Sequence, residues 1–594
     1  MFKMNFYKVF LSLPFFLLIS LLLTGQNPRI YLRKTVGLDY PDFDEGGTDF
    51  ALDDINADGC LDLLSVGDHG SPGFNSSQHG IIVWFGDCQG NFQNYMNGQF
   101  GYGGIAVGDV NNDGLKDAGY GVHHNYSTTS FGDQLIEVVL GDGTGMNWTV
   151  WDEGLATNGE DWGMFGTAFA DFNSDGYLDL VSVSFACCAG LHVYLNQTDG
   201  TWMQSFGFLN GNSSMLVRSF DINKDGYMDF VSGHQSGTAY FGDGTGSFIC
   251  NDDGLPGAGN TSRVAIDIAY LNPEAVTGIS FVNASGGISV YSWNNQALLW
   301  EDISGNLPSS GTYQMTQLCD MNSDGFADAM AFGNRNFSLW LGDGDGDWIQ
   351  DANFMTSGSP GIGQAMRTGG DFDNNGYPDL VILAQELSGG WIQFDKNFLY
   401  VYFESTVADS LWIKSVFPVG SETLIPGSVR FIEWRSAVQP NVASTVKIEI
   451  SAFGPDGPWW LVADNLPNNG KYQWTVPNYG SVESFLRITV LTDDGSASTV
   501  TPQAFIIAGE PTANPVAQAY PKIMMMPNPG KDVVFLSNSH LAENMIVRNV
   551  AGVVVFTDDN PASLLNTSSW ASGIYYWTIK RKDGSISTGK WLKY

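Results

Sequence analysis

Positive charge is scarce in this sequence, and that scarcity limits the partners of the protein. The 594 residues include 26 Lys and Arg against 63 Asp and Glu, which gives a formal net charge of −37. Nucleic acids bind to basic surfaces, so the composition excludes a nucleic-acid partner. Charged residues make up only 15% of the chain and apolar residues 43%, which is typical of a globular protein and not of an acidic disordered tail.

Cysteines and long apolar runs are also rare. Six cysteines are too few for a disulfide scaffold in a chain of 594 residues. The long apolar run from Val9 to Leu23 follows Lys8 and gives way to polar sequence at Gln26. A basic segment before a short apolar run is typical of a secretory signal peptide, so residues 1–25 are interpreted as one. We therefore expect an exported protein.

The sequence does contain a recurring nine-residue motif, Asp-x-Asn-x-Asp-Gly-x-x-Asp. Six copies are present, and the last exchanges Asn and Asp at its middle positions. Positions 1, 3, 5, 7 and 9 of these copies are Asp54, Asn56, Asp58, Cys60 and Asp62; Asp109, Asn111, Asp113, Leu115 and Asp117; Asp171, Asn173, Asp175, Tyr177 and Asp179; Asp221, Asn223, Asp225, Tyr227 and Asp229; Asp320, Asn322, Asp324, Phe326 and Asp328; and Asp371, Asp373, Asn375, Tyr377 and Asp379. The doubled spacing between the fourth and fifth copies indicates one decayed copy, and alignment of the following strands puts Tyr270 at its position 1. The chain therefore holds seven repeats and six intact loops.

The spacing of the oxygen-bearing residues in the motif indicates a calcium site. Side-chain oxygens at positions 1, 3 and 5 converge with the backbone carbonyl of position 7, and the carboxylate at position 9 can bind through both oxygens. Glycine at position 6 permits the sharp turn, and hard oxygen ligands select Ca²⁺ over zinc or copper. The alternative is an ion-free Asp/Asn/Gly turn, but three carboxylates packed this closely need a cation. We predict about six structural Ca²⁺ ions, one for each intact loop.

Short strands surround each loop in a fixed order. Four strands in about 50 residues correspond to one blade of a β-propeller, and seven blades close a ring. The last repeat lacks a fourth strand, and the segment from Ile30 to Leu38 is expected to supply it. The predicted fold is all-β, with a seven-bladed propeller over residues 26–405. This arrangement resembles the integrin-α-type propeller and the FG-GAP/VCBS repeat family over about residues 29–405.

Two more β domains are predicted after the propeller. Alternating strands over 406–510 indicate an Ig-like sandwich, interpreted as a spacer because it holds no His or Cys. A linker over 511–520 leads to a unit over 521–594 that has eight basic and five acidic residues. Its Pro527-Asn-Pro and Ser572-Gly-Ile-Tyr elements are similar to the C-terminal sorting domain of type IX secretion cargo in Bacteroidota; the alternative is another small β-sandwich. The resemblance implies the type IX secretion machinery as a partner and a location on the cell surface or outside the cell.

The turns opposite the calcium loops are the candidate ligand rim. Polar and titratable side chains collect there in the predicted propeller: His69, His123, His124, Cys187, Cys188, His234, Arg335 and Glu386. These side chains are suited to a binding site for a glycan or for a second metal ion. The alternative is a set of ordinary polar turn residues. A disulfide between Cys60 and Cys88 is plausible, because both residues lie in turns on the same face of blade 1, the face that carries the calcium loops.

Two functions follow from these features. The first is a monomeric, non-catalytic, calcium-stabilised adhesion module that binds an extracellular glycan or protein, since no nucleophile–base motif occurs. The second is an extracellular polysaccharide-degrading enzyme whose site lies on the candidate rim, because some propellers are enzymes. The sequence favours the first.

Overall fold

A computed structural model describes most of the chain after the predicted signal peptide. The described residues are 28–34, 36–38, 49–67, 79–125, 129–160, 164–186, 190–209, 211, 213–257, 264–356, 358–360, 366–386, 396–509, 525–526, 533–536, 539, 542–562, 564–582 and 586–593. Regular structure in these ranges is β-strand, and no α-helix occurs in them. No helix in this part of the chain has the length and apolar character needed to cross a membrane. The predicted signal peptide and linker lie outside the described residues.

The propeller has seven blades of four antiparallel strands each, and blades 3 and 4 are joined into one eight-stranded sheet by the pairing of Phe185–Ala186 with Ser213–Ser214. From blade 1 to blade 7, innermost strand first, their strands are Ala51–Asp53, Asp62–Val66, Ile81–Gly86 and Phe92–Asn97; Ile105–Gly108, Asp117–Gly121, Ile136–Gly141 and Trp148–Val150; Met164–Ala170, Asp179–Ala186, Leu191–Asn196 and Trp202–Phe208; Ser213–Phe220, Asp229–His234, Gly237–Gly242 and Phe248–Cys250; Val264–Tyr270, Thr277–Val282, Ile288–Asn294 and Leu299–Asp302; Met315–Cys319, Asp328–Gly333, Asn336–Gly342 and Trp348–Met355; and Met366–Thr368, Leu380–Glu386, Lys396–Glu404 and Tyr31–Lys34. Short strands Phe100–Gly101 and His124–Asn125 pair with each other, and Ser359–Pro360 pairs with the second strand of blade 7.

The N-terminal strand closes the ring, which confirms the sequence prediction. Tyr31–Lys34 pairs antiparallel with the third strand of blade 7, with Tyr31 opposite Glu404. The Tyr31 ring lies 6.1 Å from the ring of Phe337 and 6.0 Å from that of Phe354, both in blade 6. The first strand in the chain thus supplies the outer strand of the last blade and joins the two ends of the ring.

Apolar side chains pack between neighbouring blades. At the junction of blades 1 and 7, Leu63 and Trp84 are fully buried against Val381 and Val401. Burial of such side chains contributes roughly 1.5–3 kcal/mol each relative to the exposed state. Packing between neighbouring blades therefore contributes to the stability of the closed ring.

The domain after the propeller is built from two sheets. The first holds Trp412–Phe417, Val429–Ala437 and Lys471–Thr475; the second holds Thr423–Leu424, Phe505–Ile507, Ser481–Thr492, Ser444–Ser451 and Trp460–Pro467, with Gly495–Val500 paired to Ser481–Thr492. Alternate side chains such as Trp434, Ile448 and Ile488 form the core between the sheets. We call residues 406–509 the sandwich.

The C-terminal unit is a smaller β domain. One sheet holds Met525–Met526, Val533–Leu536 and Leu564–Asn566, and the other holds Val554–Asp558, Ala542–Asn549, Gly573–Arg581 and Ile586–Lys593. Val547, Trp577 and Trp591 are buried in its core.

Candidate functional site

The six Asp-rich loops share one hydrogen-bond network. In each loop the backbone N–H of position 6 donates to the position 1 carboxylate, and that of position 7 donates to the side-chain oxygen of position 5. Position 4 takes a left-handed backbone, with φ between 55° and 61°. Position 6 has φ between 88° and 99°, which glycine adopts without strain. The network turns the side-chain oxygens of positions 1, 3 and 5 toward the inside of the loop.

The position 9 aspartates tie each loop to its blade. One oxygen accepts the N–H of position 2 and the other accepts an N–H from the third strand of the blade; in blade 4, Asp229 takes these bonds from Ile222 and Gly242 at 2.8 and 2.7 Å. All six carboxylates are buried. Burial, with a smaller contribution from neighbouring carboxylates, raises the pKa of Asp62 to about 8 and that of Asp229 well above its usual range. Buried acids held beside one another stay ionised only when a cation balances them.

The loops fit a hard cation. In the last loop, carboxylate oxygens of Asp371, Asp373 and Asp379 lie within 4.8 Å of one another. In the fourth loop, Oδ1 of Asp221 is buried and accepts no hydrogen bond from the described residues. Burial raises the pKa of Asp221 to about 7. Ca²⁺ binds to convergent carboxylate oxygens such as these, and an oxygen that accepts no hydrogen bond is available as a ligand.

The decayed copy in blade 5 is shorter than the sequence alignment assumed. Tyr270 pairs with Thr277, as Phe220 pairs with the position 9 residue Asp229 in blade 4. Tyr270 is therefore the residue before position 1, and the turn has lost two residues. The alignment with Tyr270 at position 1 is wrong because it kept the spacing of the intact loops. The hydroxyl of Thr277 donates to Ile222 O at 2.7 Å, so this turn is held by a neutral hydrogen bond.

The sandwich sits on the loop face of the propeller. Gln473 bonds both backbone groups of Asp109, accepting from N at 2.9 Å and donating to O at 2.8 Å. Val429 N donates to Oδ2 of Asp171 at 2.9 Å, and Asn469 donates to Oδ2 of Asp54 at 3.2 Å. The buried Arg430 donates to the carbonyl of Gly226. The sandwich is therefore docked on the propeller through backbone and side-chain hydrogen bonds.

The remaining blades also contact the sandwich. Ser421 and Gln503 donate to carbonyls of the short turn in blade 5, Arg435 lies 3.1 Å from Cys319 Sγ of blade 6, and Val438 N donates to Asn374 O of blade 7. Sequence reasoning missed these contacts because they use backbone groups and single amides that form no motif.

The candidate rim is largely buried where the structure describes it. His123 is 9% exposed and packs against the rings of Tyr102 and Phe165 at 5.7 and 5.5 Å. His234 is fully buried, stacks on Phe208 at 5.6 Å and accepts Ser236 N at its Nδ1. Burial lowers the pKa of His234 to about 4, so its ring is neutral at pH 7. Neither ring is exposed at the candidate rim, because each packs against an aromatic ring of a neighbouring blade.

The other rim residues are placed as follows. Arg335 is exposed in a two-residue turn of blade 6, as expected for the rim. The backbones of His124 and Glu386 lie in strands, but their side chains are outside the described part of the structure, as are His69, Cys187 and Cys188 altogether. Sequence reasoning missed a buried pair nearby, in which Nδ1 of His192 lies 3.5 Å from Oε1 of Glu160.

Cys60 and Cys88 form a disulfide that joins loop 1 to the third turn of blade 1. The two cysteines are 28 positions apart in the sequence, so the bond closes a loop and removes conformational freedom from the unfolded chain. We expect the Cys60→Ser, Cys88→Ser double variant to lose about 3 kcal/mol of unfolding free energy, measured by urea denaturation. Cys250→Ser, which removes an exposed thiol, is the control. Equal stability of the double variant and the wild type would contradict this prediction.

Comparisons with known proteins agree with this architecture. Residues 171–232 match the FG-GAP-like repeat, and residues 524–593 match the secretion system C-terminal sorting domain. No curated protein matches the chain. Similar solved structures include an Agrocybe aegerita lectin described as recognising non-reducing terminal N-acetylglucosamine, at 15% identity over 56% of this chain and 81% of that chain with a TM-score of 0.36. Another is a luciferin-regenerating enzyme, at 8% identity over 63% of this chain and 95% of that chain with a TM-score of 0.31.

Both TM-scores lie below 0.5, so neither likeness carries an argument about this chain. The two matched segments are informative, because each coincides with a structural unit described above. Residues 171–232 span the third loop, the second to fourth strands of blade 3, the inner strand of blade 4 and the fourth loop. Residues 524–593 span the C-terminal β domain. The chain therefore carries an FG-GAP-like repeat within a β-propeller and a type IX secretion sorting domain at 524–593, and it is exported to the cell surface or the extracellular space.

Proposed function

We propose that the protein is a calcium-stabilised extracellular binding module. The observation that carries the proposal is the network shared by the six loops, which buries a position 9 carboxylate in each and turns the other ligand oxygens toward one point. Bound Ca²⁺ would supply positive charge to these oxygens and hold each loop in shape. The ions are structural in this proposal, since the sandwich covers the face on which they lie.

A binding role is favoured over catalysis by the state of the titratable rim residues. His123 packs against two aromatic rings, and His234 stacks on the ring of Phe208. The neutral, buried His234 offers no base to a substrate at the surface. Catalysis requires a positioned acid or base within reach of the substrate. The module is therefore proposed to recognise a glycan or a protein without changing it.

The proposal is tested by counting bound metal. The purified protein, dialysed in Ca²⁺ and washed free of excess ion, is analysed by native mass spectrometry and by elemental analysis. We expect about six Ca²⁺ per chain, one for each intact loop. A parallel sample dialysed in Mg²⁺ should retain fewer ions, because Mg²⁺ needs a smaller and more rigid octahedral site. A chain that retains no Ca²⁺ would overturn the proposal.

A further inference from the structure

A cavity lies where the sandwich meets blades 1 and 7. Its volume is about 260 Å³, and we call it the junction cavity. The propeller contributes loop residues Asp58, Asp373 and Asn374 and the turn residue Gln89, while the sandwich contributes Gln439 and Asn441. Binding sites commonly occur at domain junctions. This one joins the two domains at the loops described above.

The walls of the junction cavity are fixed on both sides. The Cys60–Cys88 disulfide holds the blade 1 turn against loop 1. Val438 N donates to Asn374 O at 2.8 Å, which pins the sandwich segment to the last loop. At the back, Nδ2 of the buried Asn468 donates to Ser444 Oγ at 3.0 Å. A site with fixed walls loses little conformational entropy when it binds a ligand.

The free polar groups of the junction cavity are mainly amides. The side chains of Gln89, Gln439 and Asn441 are exposed, and none of the described residues hydrogen-bonds to their amide groups. An amide presents both donors and acceptors, and so does a hydroxyl group. Asp58 and Asp373 add acceptor oxygens, and as cation-loop ligands their charge would be balanced by the ion. The cavity is therefore suited to a neutral molecule with several neighbouring hydroxyls and not to an amine.

We propose that the junction cavity binds one sugar unit of a neutral glycan. Drug-sized ligands fill roughly 300–1,000 Å³, so a cavity of about 260 Å³ suits a smaller polar molecule. The partly buried Val442 lines part of the wall and gives the C–H face of a sugar ring an apolar surface. The inference rests on the proposed binding function and moves its site from the predicted rim to the opposite face.

The test uses the full mature protein in Ca²⁺ on an array of neutral mono- and oligosaccharides, followed by titration with the free sugar that is captured. The Gln89→Leu, Gln439→Leu double variant replaces two exposed amides by apolar side chains of similar size and leaves Asn441, whose backbone is left-handed, in place. Since one lost hydrogen bond of about 1.4 kcal/mol is a factor of ten, we expect this variant to bind the sugar at least tenfold more weakly. Arg335→Leu, on the candidate rim, is the matched control and should bind as the wild type does.

Two readouts separate this inference from the proposed function. Calcium content and thermal stability of the double variant should equal those of the wild type, because neither amide is a cation ligand. If the protein holds its Ca²⁺ ions but captures no neutral sugar, the inference that the junction cavity binds a glycan is refuted. The proposed calcium sites are not affected by that result. Undiminished binding by the double variant, or loss of binding in Arg335→Leu, would also refute the inference. A protein that holds no Ca²⁺ would instead refute the proposed function.

Discussion

Removal of Ca²⁺ with EGTA is expected to lower the melting temperature of the mature protein by more than about 10 °C. Each site stabilises the folded state by about 2.7 kcal/mol when free Ca²⁺ exceeds the dissociation constant 100-fold. Six such sites would contribute about 16 kcal/mol together. Chelation also leaves eighteen loop carboxylates without a counter-charge, and their buried members then oppose folding.

The measurement is a calorimetric melt in Ca²⁺, in EGTA, and in EGTA followed by excess Ca²⁺. Recovery of the melting temperature in the third sample shows that the effect is due to the ion and not to irreversible unfolding. A melt with Mg²⁺ in place of Ca²⁺ is the matched control and should recover only part of the shift. Identical melting temperatures in Ca²⁺ and EGTA would contradict the prediction.

The second large effect is expected at position 9 of a single loop. Asp229→Ala removes the carboxylate that accepts the buried N–H groups of Ile222 and Gly242. Each buried donor left unsatisfied costs about 1–3 kcal/mol, so we expect a loss of about 4 kcal/mol in unfolding free energy. The variant should also retain one Ca²⁺ fewer than the wild type.

Blade 5 supplies the matched control for this variant. Thr277 occupies the position equivalent to Asp229, in the turn that has lost its acidic ligands. Thr277→Ala removes one hydrogen bond, to Ile222 O, so it should cost only about 1 kcal/mol and leave the number of bound ions unchanged. Equal costs for the two variants, or an unchanged ion count in Asp229→Ala, would show that position 9 does not serve a cation.

The sequence predicts the propeller well because its repeat is governed by local rules. The left-handed residue and the glycine at positions 4 and 6, such as Asn112 and Gly114, are set by the turn itself. The closing strand Tyr31–Lys34 was also predictable, since the last repeat lacked a partner for its third strand. Where the local rule was lost, in the turn between Tyr270 and Thr277, the alignment failed because a two-residue deletion leaves no marker in the sequence.

The candidate site was less predictable because it depends on contacts between distant segments. Gln473 and Asp109 are 364 positions apart, and the contact uses one side-chain amide and the backbone. The burial of His234 follows from packing against Phe208, which no spacing rule indicates. Histidine is found both inside and outside folded proteins, so its residue type alone does not decide between a rim and a core position.

The docked sandwich changes how the two faces of the propeller are understood. The loop face carries the six Asp-rich loops, contacts the sandwich at every blade and has the junction cavity at its edge. Cation loops and domain contacts thus share residues, as Asp171 does when it accepts Val429 N. The propeller and the sandwich are therefore joined across the loop face, and the proposed binding unit includes both domains.

The central claim is that the six loops hold Ca²⁺, and anomalous X-ray diffraction from crystals grown in Ca²⁺ tests it most directly. The account predicts one anomalous peak inside each of the six loops, surrounded by the oxygens of positions 1, 3, 5, 7 and 9. It predicts no peak in the turn between Tyr270 and Thr277. Loops without anomalous peaks in crystals saturated with Ca²⁺ would contradict the account.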